Sequence, residues 1–257
     1  MSAQTLLQAA AELARVAGDV AMGHFRAGVA VETKGDGSPV TIADRAAERA
    51  AREWLARRFP GDGVLGEEYG AEHDDAARRW ILDPIDGTKS FVRGVPLWGT
   101  LVAVAEGDTV LAGAAYFPAA GEIVSAAPGE GCWWNDSRCS VSDVARLEEA
   151  TVLTTDERFR RTPAWREGWQ RLADRALVSR TWGDCYGYLL VATGRAEVMV
   201  DPIMSPWDSA ALQPIVTEAG GVFTDWAGVA TGFGGSAVAT NGALAGEARE
   251  ILASRGS

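Results

Sequence analysis

Between Ala3 and about Ala27 apolar residues recur at helical spacing, through Leu6, Leu7, Ala10, Leu13, Ala14, Ala17, Val20 and Ala21. One face is apolar, so the chain opens on a long amphipathic helix whose role is packing. Residues 29–34 read as a short strand, and Gly35-Asp36-Gly37-Ser38-Pro39 as a flexible turn. Thr41-Ile42-Ala43-Asp44 starts a second helix, running to about Phe59 with Ala47, Ala50, Ala51, Trp54 and Leu55 on one side. Residues 64–68 form a short strand ending in the acids Glu67 and Glu68, and 71–78 a polar hairpin or loop.

The period then shortens. Residues 98–106 and 109–116 read as strands joined by a tight turn at Gly107-Asp108, with further strands at 123–127 and 131–134. They predict an antiparallel-rich sheet. Beyond about residue 145, strands at 152–154, 176–182, 196–200 and 222–225 alternate with helices at 162–173, 186–193 and 205–219, the last stopped by Gly220-Gly221. A final helix lies near 241–254. The chain is thus expected to be α/β overall, with an α+β N-terminal lobe over 1–145 and an α/β C-terminal lobe over 146–257.

The stretch Trp80-Ile81-Leu82-Asp83-Pro84-Ile85-Asp86-Gly87-Thr88-Lys89-Ser90-Phe91 joins this pattern to chemistry. An apolar run that makes a strand leads into two acids around a proline, then a Gly-Thr that can open a helix. Pro84 has no N–H for a ladder, so the strand is expected to stop there and deliver both carboxylates at its carboxyl end. Carboxylate oxygens suit Mg²⁺, which takes a few such ligands together with substrate phosphate. Gly87 and Thr88 would add backbone N–H groups at a helix start, where anions bind. Taken alone, the fragment is equally a surface turn that caps a helix.

Composition narrows the classes. The 257 residues carry 24 basic and 35 acidic groups, a net charge of −11, which argues against non-specific nucleic-acid or acidic-membrane binding. An apolar fraction of 47% is enough for a substantial core. Cys132, Cys139 and Cys185 cannot all pair within one chain and show no C-x-x-C spacing, so reduced thiols in a cytoplasmic protein are expected. His24 and His73 are too few for a zinc site. No secretory signal or membrane span is read, and the ten tryptophans are scattered through the chain.

Glu67, Asp83, Asp86 and Asp208 each fall near a strand end or helix start, and are expected to meet in space. Asp208, after Pro206-Trp207 at a helix start, reads on its own as an N-terminal cap before it reads as a ligand. Together with these acids, Lys34 through Asp44, Gly66-Glu67-Glu68, Trp80 through Phe91, Pro206-Trp207-Asp208 and Glu218-Ala219-Gly220-Gly221 resemble the inositol monophosphatase family, the Mg²⁺-dependent, lithium-sensitive phosphatases. The resemblance spans most of the chain in order and implies a layered αβαβα sandwich, assembled as a homodimer. It implies that Glu67, Asp83 and the backbone carbonyl of Ile85 hold one metal, and that Asp83, Asp86 and Asp208 hold a second. Two or three Mg²⁺ per site are expected, with Mn²⁺ as a substitute. Asp86, Gly87 and Thr88 would face the phosphate, with Lys89 among the substrate-binding residues. Glu67 and Thr88 would position the attacking water, with Asp44 accepting from the Thr88 hydroxyl.

Substrate choice is expected downstream, at Arg180-Thr181-Trp182-Gly183-Asp184-Cys185-Tyr186-Gly187-Tyr188. With Ser90 through Trp98, this run resembles the histidinol-phosphate phosphatase branch of the family. Asp184 could accept hydrogen bonds from a substrate ammonium, and Trp182, Tyr186 and Tyr188 could wall an imidazole pocket or simply pack the core. Arg180 reaches toward the substrate or a neighbouring subunit in this reading, or forms a structural ion pair. Asp201 falls where the family contacts the leaving group. The expected reaction is hydrolysis of L-histidinol phosphate. An inositol-phosphate or sugar-phosphate phosphatase, and a catalytically idle scaffold of the same fold, are the alternatives.

Overall fold

The computed structural model describes residues 1–28, 31–33, 35 and 39–253. Parts of the strand expected at 29–34, of the turn at 35–39 and of the last helix therefore lie outside the described residues. The chain begins with α1 (Ala3–His24), capped by the Ser2 hydroxyl, which accepts from Thr5 N–H at 3.2 Å. A small hairpin, β1 (Val31–Thr33) and β2 (Pro39–Thr41), leads into α2 (Ile42–Arg58). There follow β3 (Gly63–Gly66), β4 (Gly70–Glu72), β5 (Arg78–Asp86), α3 (Thr88–Val92), β6 (Gly99–Glu106), β7 (Thr109–Phe117), β8 (Glu122–Ala127), β9 (Gly131–Trp134) and β10 (Ser137–Arg138). After a single 3₁₀ turn at Leu147–Glu149 come β11 (Thr151–Thr154), α4 (Pro163–Arg175), β12 (Val178–Arg180), α5 (Cys185–Ala192), β13 (Val198–Asp201), α6 (Pro206–Ser209), α7 (Leu212–Glu218), β14 (Val222–Thr224), β15 (Ala237–Thr240) and α8 (Ala245–Ala253).

The strands form two large sheets. In the first, the order is β10-β9-β8-β7-β6-β5-β3-β4, antiparallel except where β3 runs parallel to β5. The second has the order β12-β11-β13-β15-β14, parallel at β12-β11-β13 and antiparallel beyond. Side-chain alternation decides what covers each face. Trp80, Leu82, Val102, Val104, Ala112 and Ala114 pack against α1 and α2, whereas Ile81, Leu101, Ala103, Ala105 and Phe117 point the other way. There they meet α5 and α7, and beyond them Met199, Ala237 and Ala239 of the second sheet. Val152, Val198, Val200 and Val238 face outward onto α4 and α8. The layers are therefore α1/α2, sheet, α5/α7, sheet, α4/α8, an αβαβα sandwich. Strands covered on both sides need no polar alternation, which is why β6 and β13 read as apolar runs. Helix α5 lies between the sheets and is apolar nearly all round, with seven of its eight residues buried. Among the described residues, no helix is long and apolar enough to cross a membrane.

Three local expectations are corrected. Strand β5 does not stop at Pro84 but runs on to Asp86, because the register shifts between Asp83 and Asp86. Pro84 sits inside that bulge, where no ladder N–H is required, and its carbonyl accepts from the Thr100 hydroxyl at 2.8 Å. The single helix expected over 205–219 is two, α6 and α7. Pro214 cannot donate the N–H that would bond the Ala210 carbonyl, so the hydrogen-bond ladder breaks there. Strand β15 is absent from the sequence reading. Its four residues, Ala-Val-Ala-Thr, are too short a run to announce a strand by pattern, and they are extended by pairing on both sides, with β13 and β14.

The α6–α7 junction lies directly against the first sheet, where a Cβ at Gly113 would collide with the Ala211 carbonyl oxygen. A Gly113→Ala chain is expected to lose about 1–3 kcal/mol from overpacking, measured as a lower denaturant midpoint. An unchanged or raised midpoint, the usual effect of Gly→Ala where space is free, would contradict this close approach.

Candidate active site

The bulge in β5 builds the centre of the site. With Asp83 paired to Leu101 and Asp86 to Gly99, the strand fits two residues opposite one, and both acids end near the same place. The Asp83 carboxylate accepts the Ile85 N–H at 2.9 Å, which fixes the turn locally. Gly87 then caps α3 at φ 87°, and a Cβ there would sit 2.9 Å from the Leu97 carbonyl oxygen. Only glycine fits that turn.

Asp83, Asp86 and Asp208 each offer a carboxylate oxygen, and these oxygens lie within 4.8 Å of one another. Asp208 does two things. Its Oδ2 accepts the Ser205 N–H at 2.7 Å as part of the capping box of α6, and the same side chain belongs to the cluster. Asp86 accepts the Cys185 N–H at the start of α5, where the helix end favours negative charge. Glu67 follows β3 on a turn tied to β5 by its N–H to the Leu82 carbonyl at 3.2 Å. The charge of Glu67 is felt by Asp83, Asp208 and Asp44. Three of the four acids expected to meet, Asp83, Asp86 and Asp208, thus lie together, and the charge of Glu67 acts on two of them. No ion pair joins Asp83, Asp86 or Asp208 to a Lys or Arg among the described residues.

Burial pushes Asp83 well above the usual carboxylate range, and the charges of Glu67, Asp86 and Asp208 add to it. Asp86 is raised by burial and by Asp184 and Asp208. Burial lifts Asp208 to about 6 against the pull of the Ser205 N–H. Hard-oxygen donors crowded together, Asp83 buried and Asp86 and Asp208 half-buried, fit a divalent metal.

Beside the cluster lies a cleft of about 390 Å³, lined by Asp86, Lys89, Asp184, Asp201 and Asp208 among others. Asp184 caps α5 with φ 50° and ψ −157°, a backbone shape that costs a residue with a side chain about 1–3 kcal/mol. Its N–H is held by the Thr155 hydroxyl at 2.8 Å. Burial raises Asp184 to about 6, offset by the nearby Lys89. Asp201 accepts from Thr155 N–H at 3.2 Å and from the Tyr188 hydroxyl at 3.1 Å, and burial raises it to about 7.

Other expectations are not met. Arg180 is exposed on β12, donates to the Ser179 carbonyl at 2.7 Å, lies over the Trp182 ring and is not among the cleft residues. The three aromatics do not wall the cleft. Trp182 is exposed, Tyr186 packs on Phe117 and donates to Glu122, and Tyr188 is sealed in the core beneath Asp201. A helix buried all round points its aromatics away from the cleft as readily as into it. The Thr88 hydroxyl donates to the Ile85 carbonyl at 3.0 Å rather than to Asp44. Asp44 instead accepts the Thr41 N–H and hydroxyl as the cap of α2, leaving its buried Oδ1 without a partner.

The sequence reading missed the wall contributed by Phe159, Arg160, Arg161, Ile203 and Met204. A signal existed. Arg158-Phe159-Arg160-Arg161 is a basic run in an acidic chain, just beyond the carboxyl end of a parallel strand, where open α/β sheets gather ligand groups.

Sandwich and site together define a phosphoric monoester hydrolase of the metal-dependent class. Across residues 2–255 the chain matches the inositol monophosphatase family, and it belongs to that family. It is 45% identical to a histidinol-phosphatase of Chlorobaculum parvum over 86% of each chain. It is likewise 45% identical to a histidinol-phosphatase of Mycobacterium tuberculosis, covering 83% of this chain and 84% of the other. An inositol monophosphatase from Zymomonas mobilis superposes with a TM-score of 0.87 at 30% identity, covering 98% of this chain and 99% of that one.

Folding raises Asp208 and Asp184 to about 6 and Asp201 to about 7, above an ordinary value of 3.8. Between those values the folded chain binds more protons than the unfolded one, so the stability tied to these groups is full at low pH and is lost as pH rises through 6 to 7. In chelator, the thermal midpoint is expected to be lower at pH 8 than at pH 5.5, and added Mg²⁺ to raise it far more at pH 8. Equal Mg²⁺ effects at the two values would contradict a metal-accepting carboxylate cluster.

Proposed function

We propose that this chain hydrolyses L-histidinol phosphate to L-histidinol and phosphate, using Mg²⁺ at the carboxylate cluster. The observation that carries the substrate is Asp184, a carboxylate on a strained cap in the cleft, beside Asp86 and within reach of the charge of Lys89. A substrate ammonium gives such a group a counter-charge that a neutral polyol does not. The relatives named histidinol-phosphatases support the same choice.

In this reading Glu67, Asp83 and the Ile85 carbonyl hold one cation, and Asp83, Asp86 and Asp208 another. Divalent cations bound there supply the positive charge that acidifies water and offsets the phosphate. Glu67 and Thr88 orient the attacking water. The buried, unpartnered Oδ1 of Asp44 is the acceptor to which the Thr88 hydroxyl turns when it releases the Ile85 carbonyl. Gly87, Thr88 and Lys89 receive the phosphate, and Asp184 and Asp201 the leaving group. Water forms the new bond to phosphorus as the ester P–O bond breaks. Arg180, which does not line the cleft of its own chain, acts across a homodimer. The two lobes, 1–145 and 146–257, both contribute to the site, and the assembly is a cytoplasmic homodimer.

Purified chain with Mg²⁺ is expected to turn over histidinol phosphate much faster than inositol 1-phosphate or fructose 1,6-bisphosphate; the reverse order would remove histidinol phosphate as the substrate. Asp184→Asn should raise KM for histidinol phosphate about 10- to 100-fold, the worth of a hydrogen bond to a charged group, and leave inositol 1-phosphate hydrolysis nearly intact. Asp83→Asn should abolish Mg²⁺-dependent phosphate release on every ester, and activity that survives would contradict the ligand assignment.

A further inference from the structure

Glu48 is fully buried on α2, four residues after Asp44 and on the same helix face. The mechanism above gives it no role. Its carboxylate accepts the N–H of Glu68 at 2.7 Å through Oε2, and the N–H of Tyr69 at 3.3 Å through Oε1. Those are the two residues that follow Glu67. Arg52 Nε completes the set, donating to Oε1 at 2.8 Å. The guanidinium also bonds the Gly70 carbonyl and Glu72 Oε2, the latter at 3.0 Å, and lies over the Tyr69 ring. The Glu68 and Tyr69 N–H groups and the Gly70 carbonyl are thereby gripped from α2.

Gly66 gives a second, independent sign of the same contact. A Cβ at that position would collide with the Glu48 carboxylate, so the residue before Glu67 is kept bare for this acid to approach. The turn between the two strands is three residues long, 67–69, and Glu48 bonds the backbone of two of them. An ion pair buried this deeply is costly unless each of its atoms is bonded, and here each carboxylate oxygen has a donor.

We propose that Glu48, locked by Arg52, is the positioning residue of the metal-ligand turn: it clamps the Glu68 and Tyr69 amides so that Glu67 is held against Asp83. The proposal rests on the reading of Glu67 as a metal ligand. It acts through cation affinity: a saturating cation would draw Glu67 back to the place from which it orients the water, so the chemical step would recover at high Mg²⁺. Replacing Glu48 by Gln keeps the shape but substitutes an NH₂ group for one acceptor, which then faces an N–H.

The test is Mn²⁺ binding by calorimetry to the full wild-type chain, Glu48→Gln and Gly66→Ala, with Mg²⁺ titrations of activity alongside. Gly66→Ala displaces the same carboxylate from the other side and keeps the experiment informative if Glu48→Gln fails to fold. Both variants are expected to bind Mn²⁺ about 10- to 100-fold more weakly, as when outer partners of a metal ligand are removed. At saturating Mg²⁺ kcat should return to within about threefold of wild type. A folded variant whose affinity stays within about twofold of wild type, or whose kcat stays low at saturating Mg²⁺, overturns the proposal. Should the wild-type chain itself bind no Mn²⁺, the metal-site reading fails and takes this one with it; wild-type binding matched by both variants overturns the role of Glu48 alone.

Discussion

Repulsion among crowded, half-buried to buried carboxylates is the constraint on which this molecule turns. Asp83, Asp86 and Asp208 are held with oxygens within 4.8 Å of one another, and Glu67 adds its charge from a neighbouring turn. Left alone, such groups take up protons or push apart. The fold prevents the second outcome by anchoring each acid to backbone through a different element: Asp83 to Ile85 within the β5 bulge, Asp86 to the first turn of α5, Asp208 to Ser205 at the cap of α6. The sandwich is covered on both faces of each sheet, so none of these elements can yield to relieve the strain. What remains is to supply positive charge from outside, and that is what a divalent-cation site is in physical terms.

The same logic accounts for the cap at Asp184. A left-handed backbone with a side chain is stable only where neighbours over-determine it. Thr155 holds the Asp184 N–H and, through its own N–H, Asp201, so one threonine at the end of β11 fixes two acids of the cleft wall. The strained cap lines the cleft beside Asp86 and Asp201.

Much of this was legible in the sequence, for identifiable reasons. Helices α1 and α2 carry a clean 3.6-residue period, and the strands from β6 to β9 are punctuated by turn residues, so both were readable to within a few positions. The acids were legible because Pro84 and Gly87 bracket them in a pattern that ordinary turns rarely combine with an apolar strand. Asp208 was read in two ways, as cap and as ligand, and its carboxylate caps α6 while lying in the cluster. What escaped depends on partners distant in sequence. A bulge is a relation between two strands, so the passage of β5 through Pro84 could not be seen from β5 alone. Strand β15 exists because of β13 and β14. Tyr186 and Tyr188 sit on a helix buried all round, where composition carries no direction, and Phe159 and Arg160 reach the cleft on a loop whose path the local sequence does not encode.

Metal-dependent hydrolysis by this chain requires that the carboxylate cluster take cations. Anomalous diffraction from crystals of the chain soaked in Mn²⁺ near pH 7.5 tests this most directly. Peaks between the carboxylates of Asp83, Asp86 and Asp208, with one reaching Glu67, are the predicted result. A map without anomalous density there, with the carboxylates hydrogen-bonded to one another through retained protons, would contradict it.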